Sequence, residues 1–142
     1  ARGRKALVFR GLDGLDELTT TANSDIWLVQ GGVVRNFELN PVKLGLKKVD
    51  LANLLGGQAQ QNAEVALRLF NEPGASSSQA VREVVALNAA GGLIAYDLSK
   101  QTIESQQDLD RQFEVQLERA FEALDSGAAA QKLSAWMTAS QA

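Results

Sequence analysis

The sequence predicts an α/β fold in which a strand and a hairpin at the front of the chain are packed by helices filling its back. Three observations carry this expectation. "KALVFRG" (Lys5 to Gly11) is a short apolar run closed by glycine, which reads as a strand. "DIWLVQGGVVRNFEL" (Asp25 to Leu39) places two β-rich runs around Gly31 and Gly32, and two consecutive glycines suit a tight hairpin turn. From Gln58 onward, apolar residues recur at helical spacing.

Taken in order, the strand is followed by the loop "GLDGLDELTTT" (Gly11 to Thr21) and then by the hairpin. "NPVKLGLKKVDLANLLGG" (Asn40 to Gly57) has little periodicity and predicts a loop with one short helix near 50–55, stopped by Gly56 and Gly57. The first long helix carries Ala63, Ala66, Leu67 and Phe70 on one stripe, with Asn62 expected in a cap or turn. "NEPGASSS" (Asn71 to Ser78) reads as a linker.

A second helix spans "SQAVREVVALNAAGGLIAYDLS". Its Val81, Val84, Val85, Asn88, Leu93 and Tyr96 suggest burial on more than one side. Gly91 and Gly92 within it imply either close backbone packing or a break. Asn88, set among apolar residues, is expected to be a buried hydrogen-bonding node rather than a ligand contact, since it lies far along the chain from the acidic loop.

The third helix, 108–127, has a stripe of Leu109, Phe113, Leu117, Ala120, Phe121 and Leu124, with Gly127 as its stop. Ser126 is expected to cap a last helix whose apolar side holds Leu133, Trp136 and Met137. Trp27 and Trp136 read as core aromatics. A strand and a hairpin make a minimal sheet, so further strands of a larger one are expected from chain outside this sequence.

The composition narrows the chemistry. The 142 residues suit one domain with a core of its own, at 45% hydrophobic and 22% charged. With no cysteine and no histidine, thiol chemistry, Ser-His-Asp catalysis and Cys- or His-ligated metals are excluded within this sequence. Any metal must be held by oxygen, which favours magnesium or calcium. The net charge of −3 argues against a nucleic-acid partner bound through bulk charge; the basic residues Arg2, Arg4, Lys5 and Arg10 form only a short run. No apolar run reaches the length of a membrane span and no signal-peptide pattern is present, so a cytoplasmic protein is expected.

Asp16 and Glu17 are adjacent carboxylates on a loop leaving the carboxyl end of a strand, where ligands of α/β sheets tend to bind. Like charges side by side need either water or a cation. Magnesium is commonly held by one or two carboxylates, with waters and substrate phosphates completing its shell. Thr19, Thr20 and Thr21 supply hydroxyls nearby. A solvated turn is the plain alternative.

"ALVFRGLDGLDELTTT" resembles the strand and G-x-D-G-L-D-E loop of anthranilate phosphoribosyltransferases. The likeness continues in order through "IWLVQGGVVRNFELNP", "LGL", "DLANLLGGQAQQNA", "AVREVVALNAAGGLIAYDLS" and "ALDSGAAAQKLSAW", covering the whole chain. Arg10 stands where many of the family carry histidine, and "AAGG" (Ala89 to Gly92) replaces a more alanine-rich run.

The resemblance implies the large α/β domain of the anthranilate phosphoribosyltransferase and nucleoside phosphorylase type of fold, with residues 1–142 forming its C-terminal portion. It implies transfer of a phosphoribosyl group from phosphoribosyl pyrophosphate to the amine of anthranilate, in tryptophan biosynthesis. Asp16 and Glu17 then fall on the family's magnesium-binding Asp and Glu, Mg2+ is the cofactor, and a homodimer is expected of the full-length protein. The family's helical domain, its "GTGGD" phosphate loop, its "KHGN" loop and the arginine that receives anthranilate lie outside this sequence. The 142-residue chain alone is therefore expected to be inactive, and no catalytic residue is assigned within it. The resemblance leaves two alternatives: a non-catalytic relative that binds nucleic acid, and a half-protein completed by a partner chain.

Overall fold

The structure, a computed structural model, describes residues 5–72 and 79–141. Arg2, Arg4 and all of the expected linker beyond Glu72 lie outside the described residues.

Three strands form one antiparallel sheet in the order β1-β2-β3: β1 (Ala6–Gly11), β2 (Ser24–Gln30) and β3 (Val33–Leu39). The hairpin turn falls on Gly31 (φ 62°) and Gly32 (φ 78°), left-handed backbone that side chains with a Cβ resist. Phe9 faces Ile26, which faces Phe37, and Leu7 faces Leu28. With alternation of period two, these residues share the face turned to the helices; Ile26 and Leu28 are fully buried. Val8, Trp27 and Asn36 line up on the opposite face, and so do Ala6, Val29 and Val34. Val8 and Val34 are exposed there.

Trp27 is thus only half-buried, one residue out of phase with the core. This corrects the expectation of a core aromatic. Trp136 corrects it further: it is 71% exposed on α4 (Ala128–Ala139), a helix with no buried residue.

Between sheet and helices the chain makes two short 3-10 turns, 41–44 and 51–53. The second matches the expected short helix. The first has a readable origin: the Asn40 side chain caps it by accepting from Val42 N, and Pro41 supplies the preset φ of a first helical position.

Helix α1 (Ala59–Asn71) begins where Asn62 clamps Gly57, accepting from its N–H at 2.7 Å and donating to its carbonyl at 3.1 Å. The expected turn role of Asn62 is present. The buried face of α1 is centred on Leu69, however, while Ala63 and Leu67 are exposed. Two overlapping stripes compete on this helix, whose packing partner is α4, and tertiary packing selects between them.

Helix α2 (Gln79–Asp97) runs unbroken through both glycines and packs on α3 and β1. Its buried face is Glu83, Ala86, Leu87, Ala90, Gly91 and Ile94, one side of the helix. Tyr96 is 77% exposed, while Val81, Val84, Val85, Asn88 and Leu93 are half-buried, so full burial is confined to one side. Ala86, Ala90 and Gly91 with Leu87 and Ile94, rather than the valines, make the buried contact. Arg82 joins α2 to α3 through two 2.9 Å bonds to the carboxylate of Asp125, with its guanidinium 4.9 Å above the ring of Phe121.

Helix α3 (Gln106–Asp125) buries Leu109, Phe113, Leu117, Ala120 and Leu124 as expected. Its start lies earlier than the apolar stripe suggests, because Ser105 and Asp108 form a reciprocal capping box. The Ser105 hydroxyl, then the backbone N–H groups of Glu104 and Ser105, hold the Asp108 carboxyl below its ordinary pKa. A depressed carboxylate stabilises the fold above the unfolded value and loses that contribution as pH falls through the folded one. Asp108→Ala is therefore expected to lower Tm at pH 7, with the difference closing below about pH 4; thermal unfolding across pH checks this. Ser126 closes α3, its N–H donating to Glu122 O, and Gly127 (φ 76°) precedes α4. The expected role of Ser126 as a cap for α4 is not what the chain does: the left-handed glycine makes that junction.

Candidate metal-binding loop

The loop between β1 and β2 is built from its own short side chains. Gly11 N donates to Leu15 O at 2.9 Å, and Gly14 N to Gly11 O at 3.0 Å, which closes a tight turn at the end of β1. The Asp13 carboxylate accepts from Leu15 N and from the Thr21 hydroxyl. Desolvation alone would raise the pKa of Asp13, but these bonds and one with Thr19 outweigh it and leave the group lowered. Thr19 and Thr20 are fully buried. Thr19 Oγ1 accepts from Thr21 N, and Thr20 O accepts from Val49 N of the following segment. The hydroxyls of Thr19 and Thr21 are thus internal struts of the loop, while that of Thr20 is buried without a partner among the described residues.

Asp16 and Glu17 are exposed, as Asp13 is, but differ from it in bonding. Among the described residues neither carboxylate makes a hydrogen bond or an ion pair. The loop consumes Asp13 and presents the next two acids outward. Asp13 carried no assignment in the sequence, whereas Thr21 was expected to supply a nearby hydroxyl, and it does so to Asp13. The signal available for Asp13 was an Asx turn, Asp followed two residues later by an N–H it can cap.

Leu18, the next residue, is fully buried and is gripped by α2. Asn88 Oδ1 accepts from Leu18 N at 3.0 Å, and Asn88 Nδ2 donates to Leu18 O at 2.8 Å and to Val84 O at 2.9 Å. The hydrogen-bonding node expected at Asn88 is present. Its supposed remoteness from the acidic loop is not: 70 residues of chain fold back to bring it against the neighbour of Glu17. The glycines of α2 serve the same contact. A Cβ on Gly91 would lie 3.1 Å from Leu18 Cδ1 and 3.3 Å from Phe9 Cε1, so Gly91 is there for close approach, whereas Gly92 faces open space.

The pattern defining the glycosyl transferase family, a/b domain, matches residues 2–130. The chain belongs to that family. An anthranilate phosphoribosyltransferase of Clavibacter michiganensis is 45% identical over 142 residues, a match covering 99% of this chain and 39% of the relative. The solved anthranilate phosphoribosyltransferase of Thermus thermophilus is 28% identical with a TM-score of 0.73, covering 97% of this chain and 36% of that one. The Saccharomyces cerevisiae enzyme in complex with PRPP and Mg shares the fold at 20% identity and a TM-score of 0.72, over 92% of this chain and 33% of that one. The chain thus spans about two-fifths of the length of the curated relatives it matches. Family membership agrees with the resemblance and with the α/β class.

Fit to a divalent cation follows from the donors present. Among the described residues no cluster of three or more His, Cys, Asp or Glu side chains stands ready for a metal. Two adjacent, exposed, unpaired carboxylates suit a cation that takes the rest of its shell from water and a bound polyphosphate, which is the habit of magnesium. No helix among the described residues is long and apolar enough to cross a membrane.

Proposed function

We propose that this chain is the C-terminal portion of the α/β domain of an anthranilate phosphoribosyltransferase, and that Asp16 and Glu17 bind the Mg2+ that accompanies phosphoribosyl pyrophosphate. The observation that carries the reading is the contrast within one loop. Asp13 is spent on internal hydrogen bonds, while the adjacent acids are held outward by a backbone anchored on both sides. Relatives named for this activity, and a neighbour of like fold solved with PRPP and Mg, support it.

In this reading the chain's residues position charge rather than move protons. The anthranilate amine is already a nucleophile, so the barrier lies in separating pyrophosphate from a ribose carbon that becomes cation-like. Mg2+ supplies neutralisation of the leaving pyrophosphate, and Asp16 and Glu17 hold it at the end of β1. Acceptor binding, the phosphate loops, the remaining strands of a mixed sheet, the homodimer and a cytoplasmic location belong to the same proposal for the full-length protein.

The test uses the full polypeptide that carries this chain, followed by loss of anthranilate fluorescence on addition of phosphoribosyl pyrophosphate. Turnover that stops on chelation and returns with Mg2+ is the expected result. No turnover, together with salt-sensitive DNA binding, would replace this reading with the nucleic-acid-binding one.

A further inference from the structure

We infer that Asn88 is a positioning residue for the metal-binding pair, an inference that rests on the assignment of Asp16 and Glu17 above. The geometry reduces to peptide planes. Each trans peptide fixes six atoms, from one Cα to the next, in a single plane. The N–H of Leu18 lies in the plane that begins at the Cα of Glu17, and Asn88 Oδ1 accepts from it at 3.0 Å. The carbonyl of Leu15 lies in the plane that ends at the Cα of Asp16, and Gly11 N donates to it at 2.9 Å.

Both Cα atoms are therefore pinned from their outer sides, and only the Asp16–Glu17 peptide between them is left to turn. The side holding Asp16 is local, closed by the strand end. The side holding Glu17 has its hydrogen-bonding anchor in α2, through one side chain with three bonds, the third being to Val84 O in its own helix. That third bond fixes the amide against its own backbone. Leu18 itself is fully buried beside Gly91, and the bonds that Asn88 makes to it are partly buried.

Pre-placing two like charges side by side has a consequence for binding. A loop free to rotate would let the carboxylates swing apart, and the cation would then have to bring them together against their repulsion. Groups that orient metal ligands without touching the metal typically account for about 10- to 100-fold in affinity. Asn88 is assigned that role without contact to the cation.

The experiment is Mn2+ binding, a paramagnetic stand-in for Mg2+, followed by electron paramagnetic resonance of the full polypeptide with phosphoribosyl pyrophosphate present. Asn88→Ala is expected to weaken Mn2+ between about 10- and 100-fold. The control is Gln30→Leu. Gln30 is a buried amide with three long-range bonds, two donated to Leu98 O and Gln101 O and one accepted from Ile103 N, at the end of β2 away from the loop. It destabilises without touching Leu18, and Mn2+ affinity is expected to stay within about twofold of wild type. If Asn88→Ala fails to fold, Asn88→Ser takes its place, with a shift in the same direction.

Equal Mn2+ affinity in wild type and the Asn88 variant overturns the inference while leaving the metal assignment intact. An equal loss in Gln30→Leu overturns it too, since the effect would then be one of general stability. If Asp16→Asn with Glu17→Gln leaves wild-type Mn2+ binding unchanged, the metal assignment fails and carries the inference with it. Faster hydrogen exchange at the Leu18 amide in Asn88→Ala, with exchange in β3 unaltered, is the accompanying structural sign.

Discussion

Asp16→Asn combined with Glu17→Gln is expected to lower kcat/KM at least about 100-fold in the full-length protein, with little change in thermal stability. The activity side follows from charge. A metal ion that neutralises a leaving pyrophosphate contributes several kcal/mol to the transition state, and each 1.36 kcal/mol is a factor of ten. Amides in place of both carboxylates keep the size of the side chains and remove the two negative charges. The stability side follows from exposure. Both side chains are exposed and bonded to nothing among the described residues, so their replacement falls within about 0.5 kcal/mol. Steady-state kinetics at several Mg2+ concentrations, beside thermal melts, separates the two. A loss of activity matched by a loss of Tm would mean the pair supports the fold instead.

Phe113→Ala is expected to do the reverse, costing about 3–5 kcal/mol of stability. Phe113 is the largest fully buried side chain among the described residues, one turn from Leu109 and Leu117 on the face of α3 that meets the common core. Its removal opens a cavity that the surrounding helices cannot fill without shifting. For a domain stable by about 5–15 kcal/mol this is a large fraction of the whole. Urea unfolding checks it: the midpoint should fall with the slope unchanged. An unchanged midpoint would mean that α2 and α3 collapse onto the space, which the rigid tie between Arg82 and Asp125 opposes.

Much of this molecule is legible in its residues because the signals are local. The hairpin follows from Gly31 and Gly32, the stop of α3 from Gly127, and the turn before α1 from Asn62. The start of α3 was equally local, in Ser105 and Asp108, yet the apolar stripe drew the boundary to 108. The errors concern which face is buried. The stripe of α1 through Ala63 and Leu67 is as regular as the one through Leu69, and only the tertiary packing chooses between them. The valines of α2 outweigh its alanines and Gly91 in hydropathy, but close packing favours the small residues, which let α2 approach β1 and the loop.

The candidate site divides the same way. Asp16 and Glu17 are visible from type and position alone, since adjacent acids after a strand suit a cation wherever the rest of the chain lies. That Asp13 would be spent inside the loop was legible as an Asx turn, but that Asn88 would reach Leu18 from 70 residues away, no local pattern reveals. Sequence by itself determined the element types, the turn chemistry and the oxygen-only donor set, because these depend on backbone sterics and on which atoms a side chain carries. Tertiary structure alone decided which faces are buried and what anchors the acidic pair, because those depend on which segments meet.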